Sequence, residues 1–236
     1  MRTGPSPDDQ RLLPVPVRRP AAVLATGCAV VFLGLAVRFR GASIGGAFDD
    51  RVLGWLQQHA DIPFSAVARL TGLVPPVFFL VVIALSIAAL ALRQWRSAAL
   101  VVLGPGLSIV VVEVGKTIVG RTLDGRLAMP SGHTAGVTSV SLVVAILVVD
   151  RLRSHVVPAA VLGMAAVSLL ACVIGVLMVL GGYHYATDTI AGYCAAIATT
   201  LAVAFAVDAL AGSEARARQP GMPRASDRRS SESRLG

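Results

Sequence analysis

The chain has 236 residues, of which 55% are hydrophobic and only 14% charged, and its mean hydropathy is +0.74. So little charge over such long apolar runs excludes a soluble globular domain and implies a polytopic membrane protein. The net charge of +8 sits in tails and short loops, and aromatics make up only 5%, which excludes a basic, base-stacking nucleic-acid surface.

Residues 1–20 carry Pro and Arg and read as a cytoplasmic N-terminal tail. Six apolar runs then follow, each roughly long enough to cross about 30 Å of hydrocarbon. They are Ala21–Val37, Leu70–Leu92, Ala98–Gly115, Thr134–Val149, Val156–Leu177 and Thr189–Leu210. The first has no clear small-residue cleavage site behind it and reads as a retained helix rather than a signal peptide. Pro75-Pro76 is expected in the first turn of the second span, where missing N–H groups cost least, and Pro105 interrupts the third.

Between the first two spans, Gly41 to Arg69 is too polar to cross. Phe48, Val52, Leu53, Trp55 and Leu56 fall on one helical face, with Asp49, Asp50 and Gln57 elsewhere, which predicts an interfacial amphipathic helix. The six-span domain is therefore placed at 21–211. Residues 212–236, rich in Arg, Ser and Pro with little to bury, read as a disordered basic tail. Cys28, Cys172 and Cys194 lie in apolar runs without CxxC spacing and read as small buried hydrophobes.

The basic residues sort by side. Fourteen of the 21 lie in the two tails, the second–third loop and the fourth–fifth loop, and seven on the opposite side. The positive-inside rule then puts both termini in the cytoplasm of a multi-pass cell-membrane protein.

Three polar clusters fall on the outer face of that arrangement. Lys116, the only lysine among 21 basic residues, ends the third span, where a snorkelling ammonium is the plain alternative. Pro130-Ser131-Gly132-His133 opens the fourth, with Ser131 placed to cap the helix and Gly132 allowing close backbone approach. A helix N-terminus suits a phosphate, and His133 stands beside it with a proton to give; a plain cap with an interfacial histidine is the alternative. His184 and Asp188, four residues apart at the start of the sixth span, share a helical face, so the carboxylate can orient the ring and leave one nitrogen free to attack. A capping or interhelical hydrogen bond is the alternative, although Asp and His at membrane depth are costly to keep.

In order and placement these clusters resemble the type 2 phosphatidic acid phosphatase superfamily. Its motifs are Lys-x6-Arg-Pro, Pro-Ser-Gly-His and Ser-Arg-x5-His-x3-Asp. The resemblance covers roughly Leu70 to Leu210 and implies an all-α bundle of six transmembrane helices with a phosphate pocket at the outer face. It also implies a metal-independent hydrolase without cofactor. His184 would form a phosphohistidine, Asp188 orient it, and His133 protonate the leaving alkoxide. Lys116, Ser131 and Gly132 would hold phosphate oxygens.

The chain departs from the pattern at two places. Leu123-Asp124 stands where Arg-Pro is expected, and Leu177-Met178 where Ser-Arg is expected. Arg121 and Arg126 are the candidate substitutes for the phosphate-binding arginines. A helix continued past Lys116 would turn Arg121 away from it, and Arg126 is the freer of the two.

The expected function is hydrolysis of a lipid phosphate or diphosphate of isoprenoid or phosphatidate type. The expected partners are the bilayer and that substrate, with no nucleic acid. A non-catalytic lipid-binding or assembly-partner protein of the same fold is the main alternative. A phosphotransferase that hands the phosphoryl group to an acceptor hydroxyl is a further one.

Overall fold

A computed structural model describes residues 11–217, with side chains described to Ser213. Among these residues the chain forms seven α-helices and one two-residue-per-strand hairpin. Six of the helices are long and apolar enough to cross a membrane. They are α1 (Val15–Arg38), α3 (Phe64–Ala91), α4 (Trp95–Val119), α5 (Gly132–Arg151), α6 (Val156–Leu180) and α7 (Ala186–Ala217). The seventh, α2 (Ala47–His59), lies between α1 and α3, and β1 (Thr122–Leu123) pairs antiparallel with β2 (Arg126–Leu127) between α4 and α5. The protein is thus an all-α, multi-pass membrane bundle.

The helices run past the apolar stretches that announce them. The second span begins at Phe64 rather than Leu70, so Pro75 and Pro76 lie inside α3 and not in its first turn. Apolarity measures only the hydrocarbon thickness, about 30 Å. The 28 residues of α3 span about 42 Å, because helical hydrogen bonding continues through the polar interface. Arg69, in that extension, donates from Nε to the Ser65 carbonyl one turn earlier at 3.1 Å. Likewise α1 starts at Val15, within the segment read as tail. Leu12 and Leu13 ahead of it are buried, their N–H groups donating to Asp208 of α7 at 2.8 and 3.2 Å, and Arg18 pairs with the same carboxylate at 3.0 Å. The last helix runs on to Ala217, and the remainder of the segment read as a disordered tail lies outside the described residues.

The centre of the bundle is α7, which packs against α1, α4 and α5. Sixty-one per cent of its most apolar window is buried, against 6% for α1 and for α3, whose apolar side chains face outward as lipid-facing helices must. Small residues allow the close approaches expected of membrane helices. At Gly192 of α7 a Cβ would stand 2.3 Å from the Ser131 carbonyl oxygen, so only glycine lets α7 pass the loop that opens α5. Cys28 and Cys194 are buried in the core as expected, whereas Cys172 is exposed on α6.

The helix expected between the first two spans is present as α2, but its polar side is not all solvent-facing. Leu56 packs on Val179 and Ala186, and Asp49 is buried with it, while Phe48 and Trp55 remain exposed.

Six crossings leave the two ends of the bundle on one side, with the α2–α3 connection on the other. The charge distribution predicts which side is outside. In a background lacking the three native cysteines, a cysteine at exposed Asp61 should be labelled by an impermeant thiol reagent on intact cells. One at exposed Ser154, in the α5–α6 connection, should be protected. The reverse pattern would invert the orientation.

Candidate active site

Helix α4 ends where its sequence says it must. Gly120 takes the left-handed conformation (φ +63°) and its N–H donates to the Lys116 carbonyl, so the chain turns off the helix axis immediately before Arg121. That turn decides the fate of Arg121. Its side chain is fully buried. One terminal nitrogen donates to Asp188 Oδ1 and Thr187 Oγ1, both at 2.6 Å, and the other to Asp49 Oδ2 at 2.7 Å. The guanidinium carbon lies over the rings of Phe39 and Tyr185, 4.0 and 4.1 Å from their centroids. Both terminal nitrogens are thus taken up by carboxylates and a hydroxyl, and the one donor left unpaired, Nε, is buried and does not line the cavity at Lys116. Arg121 is thus placed as a buried clamp between α2 and α7.

Asp49 is the residue that pattern reading missed. It comes from α2, yet it accepts from the N–H groups of Gly46 and Thr187 and from the Thr187 hydroxyl as well as from Arg121. Burial pushes its carboxyl up, but these donors together outweigh burial and hold it below the ordinary value of 3.8. The missed signal was a capping box. Asp49 is the third residue of α2, and its carboxylate reaches back to the N–H of the Gly46 cap.

Asp188 is fully buried and is the third residue of α7, where Oδ2 accepts the Tyr185 N–H at 2.9 Å. His184 is not on that helix, which starts at Ala186; it stands in the turn just before it, its own N–H donating to the Met178 carbonyl at 3.3 Å. The shared helical face expected for the pair is thus replaced by a turn, yet the two side chains still meet. His184 Nδ1 lies 3.8 Å from Asp188 Oδ2, buried and without a hydrogen-bond partner. That gap is too long for a hydrogen bond and short enough to close with a small ring movement, as catalytic contacts often do when a substrate binds.

Facing this turn is the N-terminus of α5. Ser131 caps it, its Oγ accepting from the Thr134 N–H and, at 3.2 Å, from the Thr134 hydroxyl. The Ser131 N–H donates to the Asp188 carbonyl at 2.9 Å, which ties the two motifs together through backbone. With those groups occupied, the N–H groups of Gly132 and His133 are the first-turn donors left over for an anion. Gly132 is where Lys116 arrives, since a Cβ there would stand 3.8 Å from Lys116 Nζ. His133 lies within electrostatic reach of His184 and Lys116 and within hydrogen-bonding reach of the Thr71 carbonyl of α3.

Lys116, Gly132 and His133 line a cavity of about 230 Å³, together with Glu113 and apolar residues of α3 and α4. Neither Arg121 nor Arg126 lines it. Arg126 is exposed on the hairpin, opposite Leu123. Met178 is buried, and Leu123 is half-buried. The structure therefore brings Lys116, Ser131, Gly132, His133, His184 and Asp188 to one end of the bundle, puts Arg121 behind Asp188, and leaves Arg126 at the surface.

Residues 108–210 match the model of the PAP2 superfamily, the family that the three motifs resemble. The matched stretch runs from the middle of α4 into α7 and contains every one of these residues, and it supports a phosphatase-type activity in broad terms. No curated protein and no solved structure matches the chain.

Replacing Arg121 tests its role as a clamp. Arg121→Met strands Asp49 and Asp188 as buried carboxylates and should destabilise the detergent-solubilised protein by about 3–5 kcal/mol, read as a fall in thermal midpoint. Arg121→Lys should recover little, because an ammonium lacks the planar fork and the ring stacking. A variant that keeps its thermal midpoint and loses only phosphate affinity would return Arg121 to the list of substrate ligands.

Proposed function

We propose that the protein hydrolyses the phosphate or diphosphate ester of a membrane lipid, isoprenoid or phosphatidate in type, through a phosphohistidine at His184. The observation that carries this reading is the placement of His184 against Asp188, with His133, Lys116 and the N-terminus of α5 close by.

The chemistry follows from that placement. The Nδ1 side of His184 faces Asp188, so a proton held there leaves the Nε2 lone pair free to attack phosphorus. As the N–P bond forms and the ester P–O bond breaks, the imidazole gains positive charge. Asp188 and Asp49 together outnumber Arg121 by one charge, so the cluster is poised to stabilise that cation. His133 gives its proton to the departing alkoxide. It then takes one from the water that attacks the phosphohistidine, which frees inorganic phosphate and restores both rings. Lys116 and the N–H groups of Gly132 and His133 hold the phosphate oxygens as charge builds on them.

A lipid substrate is favoured by what adjoins the site. A groove of about 720 Å³ between α3, α5 and α6 is lined almost wholly by apolar side chains. Val74 and Phe78 line both this groove and the site cavity, so a tail can lie in the groove while its phosphate reaches Lys116. On the outer-face orientation, the substrate enters from the outer leaflet.

One observation favours the second reading, a non-catalytic relative that binds lipid. Leu123 and Met178 occupy the family's arginine positions, and Arg121 is sequestered. Arg126, exposed on the hairpin, is then the arginine of the segment before Pro130 that is not buried in an ion-pair cluster.

Purified protein assayed against a panel of lipid phosphates separates the two readings. His184→Ala should abolish phosphate release while folding is retained, because it removes the nucleophile. Arg126→Gln should lower kcat/KM by roughly ten- to a hundredfold, the loss expected for one charge-assisted contact. Parental turnover in His184→Ala would rule out the phosphohistidine route. A folded parent that releases no phosphate and binds no vanadate would establish the non-catalytic reading.

A further inference from the structure

Lys116 does not meet the anion site alone. Its Nζ is 2.8 Å from Oε1 of Glu113, one turn earlier on α4, and both side chains line the cavity that holds Gly132 and His133. A Cβ built on Gly132 would stand 3.8 Å from the ammonium and 3.8 Å from the carboxylate, so the two groups are equally close to the first turn of α5. Glu113 is the outer member, its side chain 60% exposed against 21% for Lys116. On an ordinary helix surface such a pair contributes little to stability. Here it puts a carboxylate at the mouth of the pocket that must receive a phosphate.

The charge balance gives that position a consequence. A phosphate bound to Lys116 brings its oxygens within roughly 5–6 Å of Glu113, given ordinary charge-assisted contact lengths. A dianion there is repelled by the carboxylate. Arg121 does not offset this, since it is already outnumbered by Asp49 and Asp188. Glu113, Lys116, Arg121, Asp49 and Asp188 together carry one negative charge in excess, which the proton that His133 holds for the leaving group only cancels. A site for a bare dianionic monoester is poorly served by that arrangement. A substrate that carries its own cation close to phosphorus satisfies all of it, with phosphate on Lys116 and the α5 N-terminus and the cation on Glu113.

Resting on the phosphatase reading of this pocket, we propose that Glu113 is a specificity-determining residue. It selects lipid phosphates that bear an ammonium group a few atoms from phosphorus. The carboxylate takes no part in bond making. It exchanges its contact with Lys116 for one with the substrate cation, which frees the ammonium for the phosphate.

Two probes that differ in the cation alone test this: a long-chain amino-alcohol phosphate with a free amine, and its N-acetyl derivative. Binding of each is measured on full-length protein in detergent, in a His184→Ala background so that no turnover intervenes, with and without Glu113→Gln. The amine should bind about threefold or more tightly than the N-acetyl compound, and Glu113→Gln should erase the preference, chiefly by improving binding of the N-acetyl phosphate. Glu113 is largely exposed, so the substitution leaves the fold intact, which a thermal midpoint checks. Equal binding of the two probes, or a preference that survives Glu113→Gln, overturns the proposal. Selective binding without hydrolysis by the His184 parent removes the phosphatase reading and leaves the role of Glu113 standing. Binding of neither probe overturns both.

Discussion

The candidate site hangs on one buried cation. Arg121 joins the first turn of α7 to the first turn of α2, through Thr187 and Asp188 on one side and Asp49 on the other. These segments are far apart in sequence, and what each contributes is a carboxylate or hydroxyl that could not be buried unpaired. The guanidinium meets that need because its planar fork reaches both helices at once while its faces stack on Phe39 and Tyr185. Holding Asp188 still holds its backbone carbonyl still, and that carbonyl accepts the Ser131 N–H that fixes the loop opening α5. A clamp lying behind Asp188 thus helps set the distance between the two motifs that this hydrogen bond joins.

Such a clamp has an electrostatic cost that falls on the pocket. On the proposed phosphatase reading, an arginine buried for structure is withdrawn from the substrate, and the anion is left to Lys116, the helix N-terminus and whatever reaches in from the surface. Backbone N–H groups at a helix N-terminus are worth most where water is excluded, and apolar residues of α3 and α4 provide that wall. The same apolar surface continues into the α3–α5–α6 groove. The cavity at Lys116 and the apolar groove are therefore adjoining parts of one surface, as the proposed lipid substrate requires.

Much of the bundle was legible in the linear chain because the bilayer imposes a simple rule. A backbone in hydrocarbon must satisfy its own hydrogen bonds, so a long apolar run is a helix. All six spans were found this way. Their ends were not, since Phe64 and Val15 lie in polar surroundings that hydropathy does not score as membrane. Ser131 before α5 was a local signal that held in three dimensions, and Gly120 ends α4 by the same logic, because caps and left-handed turns are decided by residues within one turn of chain.

The polar residues divide along the same line. By itself the sequence determined which side chains are chemically useful and at which end of the bundle they gather, since topology follows from apolar length and loop charge. It did not determine which of them face each other. Arg121 and Arg126 are equivalent as residue types in one short segment, yet one is buried between two carboxylates and the other stands in the open. Asp49, on a helix read as interfacial, became part of the core. His184 met Asp188 from a turn rather than along a helix. Only the tertiary structure decided these matters, because the energy of a charge depends on its partners and its distance from water. Those partners come from segments that the chain brings together only when it is folded.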